Sequence, residues 1–109
     1  MSTAAAMWMA QRQGKLAEVQ AEIQQERANA LGRVGEALEA RIEDLHKLAI
    51  TLQHLLPGSE RTQALRKYAR LRDTAQELKW FLVVQREAIG LTDHSAVEQH
   101  YVVPRAITE

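Results

Sequence analysis

Three groups of side chains in this sequence have types and spacings that could carry chemistry. Glu43-x-x-His46 has the spacing by which one helix of a four-helix bundle offers two ligands to a metal ion. Such a site needs a second Glu-x-x-His and further inward glutamates. The chain has no second copy, so a homodimer would have to supply one by symmetry. Glu43 and His46 also fall off the apolar stripe of their segment, toward solvent. Arg86, Glu87 and His94, with His100 and Tyr101 close by, form the second group. A His–Glu pair can exchange protons with a substrate, but the sequence places no nucleophile, glycine-rich phosphate loop or set of metal ligands beside it. The competing reading has Arg86 and Glu87 bonding the C-terminal segment and its turn. The third group is basic: Arg61, then Arg66, Lys67, Arg70 and Arg72 within RKYARLR, which taken alone resembles a nucleic-acid patch.

Composition narrows these possibilities. The 109 residues make one small domain, with 46% hydrophobic and 26% charged residues, ordinary values for a soluble protein. Formal net charge is +0, so no global field draws the chain to nucleic acid or to an anionic membrane. Cysteine is absent, which excludes disulfides, thiolate zinc sites and thiol catalysis and fits a reducing compartment. The N-terminus lacks the basic region of a signal peptide, and no apolar run reaches the roughly 18 residues of a membrane span. The expected location is the cytoplasm, with no cofactor, no membrane contact and no nucleic-acid partner.

The elements that must position these side chains are helices. Residues 1–14, rich in Ala and Met, form a lead that is either flexible or helical with Trp8 docked; an interfacial membrane helix is a third reading, but only Arg12 and Lys15 are near to give it a basic face. Residues 15–109 form a single helical domain. Lys15–Leu56 reads as one helix, with Leu31, Leu38, Leu45 and Leu52 recurring every seven residues and Val34, Ile42, Ala49 and Leu56 in the same arc. Pro57-Gly58 stops it, and Ser59 or Thr62 is positioned to cap the next helix. Glu60–Ile89 is that helix, with Leu71, Ala75, Leu78, Leu82, Gln85 and Ile89 in a heptad stripe and Gly90 as its stop. Thr92 or Asp93 can cap a short third helix from about His94 to Tyr101, and Val102-Val103-Pro104 is extended.

So short a link makes the two long helices antiparallel. Residues whose numbers sum to about 116 then lie level: Leu45 with Leu71, Leu38 with Leu78, Val34 with Leu82. In this register Glu43 and Asp44 lie level with Arg72, and Glu36 with Lys79 or Trp80, so part of the basic run neutralises acids of the first helix. Gly32 and Gly35 with Ala28 make a strip of small residues level with Val84 and Phe81. Close approach of bulk from the second helix or from another chain explains such a strip; a hinge is the alternative. Two apolar patches lack an intramolecular partner: Leu16, Val19 and Ile23, which overhang the end of the second helix, and Trp80 with Val83 on its far face. Arg27 lies on the apolar stripe just past the level of Gly90, and a Glu87 of this chain or of a second chain fits it equally.

Two blocks of these residues resemble a small bacterial all-helical family catalogued as a domain of unknown function. One is Ala30-Leu31-Gly32-Arg33 with Gly35, Leu38 and Glu39. The other is Trp80, Val83-Val84-Gln85-Arg86-Glu87, Gly90, His94, Tyr101 and Val103-Pro104. The likeness spans roughly Gln20 to Arg105. It implies a bacterial cytoplasmic helical protein and brings no activity, ligand or catalytic residue. The residues themselves predict an all-α chain: a long antiparallel helical hairpin plus a short C-terminal helix or arm, four-helix-bundle-like as a homodimer. The expected function is protein interaction or scaffolding without enzyme activity. Leu16, Val19, Ile23, Trp80 and Val83 form the expected surface, for a second copy or an unidentified protein partner; Arg27, Arg86, Glu87 and His94 form the polar site. A nucleic-acid-binding regulator using Arg61, Arg66, Lys67 and Arg70 is the first alternative, and an enzyme or metal-binding bundle the second.

Overall fold

The computed structural model describes residues 3–108; Met1, Ser2 and Glu109, at the ends of the expected lead and helical domain, lie outside the described residues. The chain is all-α: α1 (Thr3–His54), α2 (Ser59–Ala88) and the short α3 (Ser95–His100), with no strand among the described residues. Two compact units divide it, one ending at Ala30 and the other beginning at Leu31.

The first unit is a run of good helix formers, mostly Ala, Gln, Glu and Arg, without proline. Helix begins at Thr3, so the described part of the lead is helical. Its residues are exposed through Asn29. Trp8 is not docked: 59% of its surface is exposed, and its ring meets the Arg12 guanidinium one turn later at 5.5 Å.

The second unit contains the hairpin. Leu38, Leu45 and Leu52 of α1 and Tyr68, Ala75 and Leu82 of α2 are buried, and Val97 of α3 completes the same core. Each helix thus buries a ladder that steps by seven residues, as the heptad spacing requires. The buried arc of α2 is turned from the expected one. Leu71 and Leu78 are only half-buried, whereas Tyr68, outside the expected stripe, is buried. The reason is a third partner. From α3 onward the chain runs back along α2, packing Tyr101, Val103 and Ile107 against the core.

This arm also corrects the expected charge pairs. The extended Pro104 and Arg105 carbonyls have no helical partner and need donors. Tyr68 Oη donates to the Arg105 carbonyl at 2.7 Å and Arg72 Nε to the Pro104 carbonyl at 2.9 Å. Arg72 therefore serves the arm. Asp44 pairs with Arg41 at 3.0 Å and Glu43 with Lys47 at 3.3 Å, both within α1. Lys79 pairs with Glu98 of α3 at 2.9 Å, away from the expected Glu36. Burial pushes the Tyr68 phenol above its ordinary pKa, and the Arg72 charge pulls weakly the other way.

The hairpin turn departs from expectation in two residues. α1 ends at His54, so Leu56 leaves the helical phase and is 84% exposed while Leu55 packs inward. Ser59 is the first residue of α2 and caps nothing; the cap position falls on Gly58. Arg61 closes the end of α1, donating through Nη1 to the Leu52 carbonyl at 2.6 Å and the Leu55 carbonyl at 3.2 Å.

The small-residue strip has a different filler from the one expected. A methyl added at Gly35 would lie 2.7 Å from Tyr101 Oη, so the arm of the same chain, and not α2, enters that gap. The packing reason does not extend to Gly32, where an added methyl would meet open space.

Candidate functional site

The C-terminus of α2 gathers three of the four expected polar residues. Ile89 caps the helix and Gly90 follows with φ +90°, a left-handed conformation natural to glycine. The Gly90 amide donates to the Glu87 carbonyl at 3.0 Å and the Leu91 amide to the Arg86 carbonyl at 2.9 Å. These are the paired bonds of a Schellman stop. They reverse the chain within two residues and return His94 to the helix it has just left. His94 Nε2 lies 3.0 Å from Glu87 Oε1, and Arg86 Nη2 donates to the Asp93 carbonyl at 3.0 Å.

This cluster is built to hold a turn. The imidazole nitrogen facing Glu87 is occupied, and the other, Nδ1, is shielded from solvent without a partner among the described residues. Arg27 belongs to the first unit and is exposed.

Asp93 is the residue at this corner that sequence reasoning left undecided between two caps. Its Oδ1 accepts from the Ser95 amide at 3.0 Å and from Ser95 Oγ at 2.7 Å, opening α3. These two bonds, the backbone one first, hold its carboxyl below the ordinary carboxylate value. A depressed folded pKa means that the contribution is present above the unfolded value and lost as pH falls through the folded one. We expect protection of the Ser95 amide against hydrogen exchange to fade below the ordinary carboxylate range. Asp93→Ala should reproduce that loss at neutral pH; equal protection in wild type and variant would show that Asp93 does not order α3.

Glu43 and His46 are both exposed, and Glu43 is engaged with Lys47. No cluster of three or more potential metal-ligating residues occurs among the described residues. Of the basic run, Arg66, Lys67 and Arg70 are exposed, while Arg61 is drawn into the turn. Among the described residues no helix is long and apolar enough to cross a membrane.

The apolar residues divide differently from expectation. Val83 is half-buried and packs against the core, so it is not part of a free surface. Trp80 remains 68% exposed, joined by Phe81 and Val84. In the first unit Leu16, Val19 and Ile23 are exposed, with Met7, Trp8 and Met9. The sequence places Phe81 and Val84 level with the small-residue strip, and level alone does not say where a covering element stops. Comparison with family models, with curated proteins and with solved structures finds no match to this chain.

Proposed function

We propose that this chain is a non-enzymatic helical interaction module of the cytoplasm that works as a homodimer. The observation that carries the reading is the first unit: a helical segment whose Leu16, Val19 and Ile23 are 54%, 49% and 40% exposed on one face. Isolated helices draw most of their stability from packing an apolar face, and a contiguous exposed apolar patch marks an interaction surface. The bundle-like pairing expected from the sequence relied on two patches. Because Val83 packs against the core, the stripe of the first unit becomes the principal contact and Trp80 an accessory one. The polar cluster at Gly90 supports the non-enzymatic side, since its groups are engaged in holding the arm.

Size exclusion with light scattering tests the proposal. The wild type should elute with a dimer mass at micromolar concentration. Leu16→Asp combined with Ile23→Asp should give a monomer that keeps the cooperative melt of the second unit. A monomeric wild type, or a double variant that remains dimeric, would overturn it.

A further inference from the structure

Met9, Arg12, Leu16, Val19, Ile23, Glu26 and Ala30 are spaced alternately by three and four residues along α1. At about 100° per residue they form one narrow seam, the spacing of a two-helix coiled coil. All but the half-buried Ala30 are exposed. Two seam positions are charged, Arg12 and Glu26, and they stand at equal distances on either side of Val19. Of the neighbouring charges, Lys15 before Val19 and Glu22 after it, each one position N-terminal to a seam residue, follow the same order, whereas Glu18 and Arg27 do not.

Resting on the homodimer reading above, we infer that the seam is occupied by the same seam of a second copy, running antiparallel about a twofold axis near Val19. A twofold contact must be self-complementary, and this charge order is. With the axis at Val19, residues whose numbers sum to about 38 lie level across an antiparallel pair. Arg12 then faces Glu26 of the partner subunit, and Lys15 lies within a residue of the level of Glu22 of the partner subunit, each contact occurring twice. Leu16 and Ile23 pack around the two central valines. Parallel, in-register pairing instead sets Arg12 against Arg12 and Glu26 against Glu26 on the seam, a like-charge arrangement that disfavours that orientation.

Absence of cysteine makes the chain suitable for disulfide mapping. A Leu16→Cys variant and an Ile23→Cys variant, mixed and equilibrated in a glutathione redox buffer, should form the mixed disulfide in excess over either symmetric one. By sedimentation, Arg12→Glu should weaken the dimer about tenfold or more, and Arg12→Glu with Glu26→Arg should restore it. These positions are exposed, and circular dichroism verifies that the variants stay helical. Mainly symmetric disulfides at either position, no cross-linking at all, or a dimer indifferent to Arg12→Glu would overturn the antiparallel seam and leave the homodimer standing. A monomeric wild type would overturn both.

Discussion

A chain carrying Leu38→Asp is expected to lose its cooperative melt and most of the helicity of the second unit. Leu38 is 0% exposed at the centre of the core, and no charged or polar residue is buried among the described residues to meet a carboxylate. An unpaired buried charge costs about 3–5 kcal/mol, on top of the leucine packing that is lost. Small domains have only about 5–15 kcal/mol of total stability, so the two losses together are enough to unfold this one. Leu38→Ala is the control. It removes packing without adding charge, for about 2–5 kcal/mol, and should lower the melting temperature while leaving one transition. A Leu38→Asp chain that melts cooperatively near the wild-type temperature would mean that position 38 is not core.

The second large effect is at Gly35. In an exposed helix Gly→Ala gains about 1 kcal/mol, and the sequence taken alone predicts that the change is tolerated or helpful if the gap holds one methyl. The arm reverses that sign. A methyl at Gly35 would stand 2.7 Å from Tyr101 Oη, closer than two such atoms can approach, and Tyr101 is packed against the core. Overpacking of this kind costs about 1–3 kcal/mol, so Gly35→Ala should destabilise, and Gly35→Leu more severely. The clash resides in one atom, since the next nearest, Tyr101 Cζ, is at an ordinary 3.6 Å. Tyr101→Phe placed in the Gly35→Ala background should therefore restore much of the loss. Thermal melts of the four chains of this cycle test it. For a domain of this size 1 kcal/mol moves the midpoint by about 4–8 °C. A Gly35→Ala chain as stable as the wild type would mean that the Tyr101 ring yields freely.

The sequence by itself determined the helices and their ends. Leucines seven apart select a helix with one buried stripe, and Pro57-Gly58 and Gly90 break it by local backbone chemistry that needs no neighbour. Short links then oblige the long helices to run antiparallel. Periodicity also identified Leu16, Val19 and Ile23 as a stripe without an assigned partner. Which surfaces face which was decided only in three dimensions. The C-terminal arm is the six-residue helix α3 and an extended tail, too short and aperiodic to reveal its docking place, yet it turns the buried arc of α2 toward Tyr68. It also takes Arg72 and Lys79 from their expected partners and sets the sign of a change at Gly35. Such contacts depend on unpaired carbonyls and on the volume of one ring meeting a missing methyl. Those are properties of pairs of residues far apart in the chain, such as Tyr68 with Arg105 and Gly35 with Tyr101, and a one-dimensional pattern does not encode which pairs form.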